Sequence, residues 1–314
     1  MKESQKRINM NGKKGGRKIM KNRHYIISIF TLCALLFTSC TQREDAIIEG
    51  EKVFNASMER PDGTKTVMGE PGDDNIRELF WLSGDAIAIT GVGSTKTAMF
   101  TNYGEDSSDV ATFKGEISDY NEYHAFYPYS FVDRYAAGVY LFRLPSKQTY
   151  KPGSFETGMF PMVAVSEGGD NTLNFKNLCG ILALNLTGQD TIATITFSAK
   201  DETGNPKVIS GLFGVDTDFT EAPTIDYILE GGETAPDRSR HYITFDCGEE
   251  GVILDPSNNT TFYIVLPAGT YNTFSVLITT TDGKIMYKEG RKPLNIVRSS
   301  STPTAGLEYA EIEV

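Results

Sequence analysis

From residue 46 onward the apolar runs are short, mostly alternate with polar residues, and are broken by Gly, Asn, Asp or Pro roughly every ten residues, the spacing of strands and turns. Ala86-Ile87-Ala88-Ile89-Thr90 and Thr260-Thr261-Phe262-Tyr263-Ile264-Val265 are rich in β-branched and aromatic residues and predict strands. Asp190 to Phe197 predicts another, with Ile192, Thr194 and Thr196 on one face and Thr191, Ala193, Ile195 and Phe197 on the other. Phe274 to Thr281, then Asp282-Gly283, then Lys284 to Tyr287, predicts a hairpin. Asp-Gly there suits a type I′ turn, which needs positive φ at both central residues. No amphipathic run of 12 or more residues has helical spacing. The pattern is all-β, with sheets packed face to face. Gly168-Gly169-Asp170-Asn171 marks the best boundary, giving domains at 46–170 and 171–314, with a new strand series from Leu173. Glu230-Gly231-Gly232-Glu233-Thr234-Ala235-Pro236 reads as a loop inside the second domain.

The N-terminus has a different pattern. Lys18, Lys21 and Arg23 precede the apolar run Tyr25–Phe37, whose 13 residues are too short to span a bilayer core of about 30 Å. Thr38 and Ser39 then lead to Cys40, the arrangement of a bacterial lipoprotein signal, although Phe37 stands where Leu is usual. Residues 1–39 are therefore read as the signal peptide, Cys40 as the lipidation site and 40–45 as an acidic tether. Translation starts at Met1 or Met20. Each buried acyl CH₂ contributes about 0.8 kcal/mol, so several chains on Cys40 (palmitate among them) anchor the protein durably. The expected location is the surface of the outer membrane.

That cut sharpens the charge. The whole chain carries −11; losing residues 1–39 leaves 21 of the 30 Lys+Arg and 40 of the 41 Asp+Glu, a net −19. Such a surface disfavours nucleic acid and anionic lipid head groups.

Candidate chemistry is sparse. With Cys33 in the signal and Cys40 acylated, Cys179 and Cys247 remain; they form a disulfide or stay as buried thiols, and two cysteines cannot make a four-ligand zinc site. His124 and His241 are isolated in strand-like runs. Gly91-Val92-Gly93-Ser94-Thr95-Lys96-Thr97 lacks the glycine that a phosphate loop needs before its lysine, and reads as a turn. No Gly-x-Ser-x-Gly elbow is present. Asp73-Asp74, Asp106/Asp109 and Asp216/Asp218 read as turn acids. Asp190-Thr191-Ile192 matches a short O-glycosylation pattern. No enzyme activity, cofactor or metal is expected.

Several ordered segments together resemble the fimbrillin family, the type V pilus subunits and minor pilins of Gram-negative anaerobes. They are Lys52 to Glu59 with Arg60 and Thr64-Lys65-Thr66; Trp81-Leu82-Ser83-Gly84-Asp85-Ala86-Ile87; Phe126-Tyr127-Pro128-Tyr129-Ser130; Leu144 to Tyr150 leading to Met162-Val163-Ala164; Leu173 to Leu182; and Val265 to Tyr271. The resemblance implies two tandem transthyretin-like Greek-key β-sandwich domains on a lipoprotein. It also implies that an arginine-specific protease removes the first strand and that a strand from another subunit fills the groove. Here the removable strand is Val53, Phe54, Ala56, Met58 and their neighbours. Arg60 matches the cleavage position, although Pro61 directly after it is unfavourable and Lys65 is an alternative. Leu307, Tyr309, Ile312 and Val314 form a candidate donor strand, or simply the last strand of the second domain.

The expected role is a fimbrial subunit, accessory or tip lipoprotein serving adhesion. Its partners would be other fimbrial subunits, the outer membrane through the anchor, and a host or bacterial surface ligand. The alternative is a surface glycan-binding lipoprotein of a nutrient-uptake system, with Tyr120, Tyr123, Phe126, Tyr127, Tyr129 and Phe131 as stacking candidates unless they are core.

Overall fold

Strands joined by turns make up the described chain, with two short 3-10 segments (Tyr129–Phe131 and Arg238–His241) and no α-helix among the described residues. The structure is a computed structural model describing residues 50–59, 79–106, 108–166, 170–218, 222–231, 233–290 and 292–310.

The first part builds a closed ring. β1 (Gly50–Met58), β2 (Ala86–Gly91), β3 (Thr97–Asn102), β4 (Val110–Ile117) and β5 (Tyr123–Tyr127) enter it. β6 (Val132–Ala136), β7 (Val139–Leu144) and β8 (Lys147–Thr149) leave it, and β9 (Met162–Val165) and β10 (Thr172–Asn177) return. Around the ring the order is β1-β10-β9-β5-β2-β3-β4 and back to β1. β1, β3, β4 and β10 bury alternate residues, as Phe54, Ala56 and Met58 do in β1, whereas β2 and β9 bury consecutive ones. β5 is buried on both faces because Tyr140 and Phe142 of β7 pack over it. The Tyr140 hydroxyl donates to the His124 carbonyl at 2.8 Å, pinning that layer to the ring.

The rest of the chain supplies β11 (Cys179–Thr187), β12 (Thr191–Lys200), β13 (Gly211–Asp216), β14 (Ile225–Tyr227), β15 (Tyr242–Asp246) and β16 (Val252–Ile253). It continues with β17 (Thr260–Pro267), β18 (Gly269–Tyr271), β19 (Thr273–Thr280), β20 (Ile285–Gly290), β21 (Leu294–Ile296), β22 (Ser301–Pro303) and β23 (Leu307–Glu308). Two sheets, β20-β19-β12-β15-β8 and β17-β11-β22, bury Ile195, Phe197, Val276 and Ile278 against Leu182, Leu184, Phe262 and Ile264. β14-β13-β7-β6 forms a further sheet.

The sheets change over at Leu178. β10 closes the ring, while β11, directly after it, begins the second pair of sheets. Strands on either side of residue 170 also share sheets: β7 pairs β13, and β8 pairs β15. Residues 48–314 form one compact unit holding two buried clusters.

Two local expectations are corrected. In β12, Ile192 is buried together with Ile195 and Phe197, because a bulge between Ile192 and Thr194 switches the parity of the strand. The Asp282-Gly283 hairpin exists, but its loop has three residues. Gly283 N–H donates to the Thr280 carbonyl (3.1 Å), Thr280 N–H donates to the Lys284 carbonyl (3.0 Å), and of the Asp282-Gly283 pair only Gly283 has positive φ, at 86°. This is a type I turn closed by a glycine bulge, not a type I′ turn.

Candidate functional site

The alternation Val53, Asn55, Ser57 against Phe54, Ala56, Met58 makes β1 two-faced, and the ring uses both its edges. β1 pairs β4 antiparallel from Gly50↔Ile117 to Ser57↔Val110, and β10 parallel from Asn55↔Thr172 to Met58↔Phe175. Phe54 is fully buried, edge-on to Phe100 (5.3 Å) and Tyr123 (5.0 Å). Ala56 and Met58 are buried beside it, while Val53 is half-buried on the other face. Burying a Phe or Met side chain contributes about 1.5–3 kcal/mol. Without β1, the facing edges of β4 and β10 would carry unpaired N–H and C=O groups beside an opened core. Polar contacts add stitches: on the outer face Ser57 Oγ donates to Asn174 Oδ1 at 2.6 Å, and on the Phe54 side, near the start of the strand, Lys52 pairs with Asp119 at 2.5 Å.

The last described residue of this segment is clamped. Glu59 N–H donates to the Phe175 carbonyl at 2.6 Å. Its carboxylate receives both Arg298 guanidinium nitrogens (Nη2 at 3.0 Å), the Ser299 hydroxyl (3.3 Å) and the Asn177 N–H (3.3 Å). Burial pushes the Glu59 carboxyl up, but Arg298, Lys176 and the Asn177 N–H outweigh it and hold the group below the usual range. Arg298 also donates to the Asn177 carbonyl at 2.9 Å.

The segment after the clamp runs back along the second pair of sheets. β22 and β23 both lie parallel to β11, with Ile181↔Ser301 and Leu186↔Leu307 in register. Leu307 packs against the second core and Tyr309 is buried there. In this state the described half of the candidate donor strand is docked on its own chain. Gly180 permits the close approach, since a Cβ there would lie 2.3 Å from the Val297 carbonyl oxygen.

The remaining nominated residues fall into place. Trp81 is fully buried and edge-on to Phe113, Tyr127 and Phe175 at 5.0, 5.1 and 5.5 Å, with Nε1 lacking a partner. Gly84, at φ 84°, turns the chain into Asp85, whose carboxylate accepts Leu82 N–H (2.8 Å) and the Tyr127 hydroxyl (2.9 Å). Burial pushes the Asp85 carboxyl up. Of the stacking candidates, Tyr123, Phe126 and Tyr127 are core, Tyr120 and Phe131 are half-buried, and Tyr129 is exposed. Residues Gly91 to Thr97 form the β2–β3 turn. Cys179 and Cys247 are buried free thiols, and burial pushes Cys247 up to about 12. His124 is held by Tyr135, Thr217 and Glu122, each at 2.7 Å. No cluster of three or more metal-ligating side chains occurs among the described residues. Cys40, Arg60, Lys65, Ile312 and Val314 lie outside the described residues.

No protein-family model matches the chain, and neither does any curated protein. Solved structures do. Their likeness runs to cell-adhesion and fimbrial proteins. One, described as a "putative cell adhesion protein" from Bacteroides uniformis, is 14% identical, with 84% of this chain and 95% of that chain covered and a TM-score of 0.45. A protein of the same description from Bacteroides ovatus is 10% identical, with 84% and 97% covered and a TM-score of 0.46. A C-terminally truncated tip fimbrial protein from Porphyromonas gingivalis is 9% identical, with 77% and 81% covered and a TM-score of 0.25.

Proposed function

We propose that this chain is a cell-surface fimbrial subunit, or an accessory or tip component of a fimbrium, and serves adhesion. Residues 1–39 export it, Cys40 is acylated, and the acyl chains hold it on the outer membrane. Its role is structural rather than catalytic. It joins other subunits when cleavage after Arg60 releases β1 and an extended strand of a neighbour takes its place between β4 and β10. The supporting observation is the placement of β1. The strand lies just before Arg60, is paired along both edges, and fills the ring core with Phe54, Ala56 and Met58. The presence of two buried clusters is in keeping with two tandem domains, 46–170 and 171–314, although the first cluster also draws in β10 and Cys179, Ile181, Phe213, Val215 and Val265 from beyond residue 170. The C-terminal segment that carries Leu307, Tyr309, Ile312 and Val314 is the candidate donor.

Limited digestion of the purified mature protein with an arginine-specific protease tests this. A new N-terminus at Pro61 or a few residues beyond and an SDS-resistant ladder on an unboiled gel are expected. An intact chain after digestion would remove the processing step and the proposal with it.

A further inference from the structure

The sheet β20-β19-β12-β15 has one face in the second core and one in solvent, and the solvent face is unusual. In one row across it stand Tyr242, Ser198, Ser275 and Glu289, each opposite the next. In the adjacent row Tyr287 is opposite Leu277, and Leu277 is opposite Thr196. Tyr242 and Tyr287 are 39% and 49% exposed, where a sheet surface of this kind more often carries Lys or Glu. Both tyrosines line a groove of about 240 Å³, whose floor holds the Ser198 and Ser275 hydroxyls, bonded to each other at 2.7 Å. His241 closes one side, and its buried ring nitrogen Nδ1 has no hydrogen-bond partner.

We infer that this groove binds a neutral glycan. Two partly exposed tyrosine rings beside a polar floor suit the C–H face of a pyranose, which a negative π face attracts. The Ser198 and Ser275 hydroxyls offer the donors and acceptors that sugar hydroxyls need. Glu289 lines the far rim, and a carboxylate accepts hydroxyl hydrogen bonds but repels an anionic ligand. Lys200 lines the same groove and offsets Glu289 locally, while the net −19 of the chain after residue 39 disfavours anions, so neutral rather than sulfated or sialylated sugars fit. Three strand spacings separate Tyr242 from Glu289, about 14 Å, a span that a tri- or tetrasaccharide covers. The site lies on β12, β15, β19 and β20, away from β1, and does not depend on strand exchange.

The test uses the full, unprocessed chain and isothermal titration with cellotetraose, xylotetraose, mannotetraose and lacto-N-neotetraose as probes. Saturable binding to at least one is expected. Tyr242→Ala and Tyr287→Ala should each weaken it about tenfold, equivalent to about 1.4 kcal/mol, while Tyr→Phe at either position retains it. Both side chains are exposed, so the alanine variants should melt with the parent protein. Three results would overturn the inference: no saturable binding to any probe, undiminished binding in the double alanine variant, or a sedimentation-velocity dimer that Tyr287→Ala dissolves. The last would make the face a contact between copies. Protease resistance at Arg60 would defeat strand exchange and leave this site untouched.

Discussion

Glu59 and Arg298, 239 residues apart, meet in a two-pronged ion pair that ties the end of the first strand to the segment leading into the last ones. Neither side chain is fully buried, and neither is freely solvated. A pair in that setting is worth more than a surface bridge, because its geometry is fixed and further donors share the carboxylate.

Arg298→Ala should therefore cost about 2 kcal/mol and lower the Tm by about 4–8 °C. Arg298→Lys should recover part of this, since a lysine cannot span both carboxylate oxygens. Thermal unfolding of the three proteins at equal ionic strength measures it.

The same pair sets an acid dependence. The Glu59 pKa is lower folded than unfolded, so its contribution is complete above the unfolded value and disappears as pH falls through the folded one. Glu59→Gln should thus be clearly less stable than the parent at pH 7, with the gap narrowing below about pH 4 as the parent protonates. Urea unfolding at the two pH values decides this; a constant gap would show that charge is not the cause.

Asp85 has the opposite sign. Burial raises its folded pKa, so ionisation costs stability that acid returns. Asp85→Asn keeps an acceptor for Leu82 N–H without the buried charge, and should be neutral or slightly stabilising at pH 7. Asp85→Ala should lose about 1–3 kcal/mol, because it leaves the Tyr127 hydroxyl and the turn N–H unpaired. Denaturation midpoints of the two variants should straddle that of the parent.

A chain lacking residues 1–59 should be soluble only with a replacement strand. A synthetic peptide of the β1 sequence, residues 50–58, should bind it stoichiometrically, and a peptide with Ala56→Arg should not, because that position is enclosed in the core. Size-exclusion co-elution reads the result directly. Equal binding of both peptides would mean that the groove does not select by side chain.

Much of this architecture was legible in the chain. Alternation in Val53 to Met58 separated Phe54, Ala56 and Met58 from Val53, Asn55 and Ser57, and the structure buries the first set, because a strand in a closed sheet has only two faces to choose between. Strict alternation failed in β12, where the bulge at Ala193 shifted the parity and no local residue announced it. The Asp-Gly signal placed a hairpin but left its loop length open, since Gly283 serves a glycine bulge as well as a type I′ turn. The Glu59–Arg298 clamp was invisible: Glu59 read as one more alternating polar residue, and nothing near Arg298 marks its partner. The tyrosine pair of the groove was hidden for a related reason. Tyr242 and Tyr287 come together only through the registers of β12 and β19 between them, whereas the denser aromatic run from Tyr120 to Phe131 was mostly drawn into the core.

The parallel ladder between β1 and β10, beside the antiparallel one to β4, also has a mechanical meaning. Tension applied along the strand from its Gly50 end loads the hydrogen bonds of both ladders at once, in shear. The same strand peeled sideways would surrender them one at a time. With β1 still part of the chain, a pull from the N-terminal side would thus meet the strand in its strongest direction, and the grip on Glu59 secures the far end of the strand that would carry it.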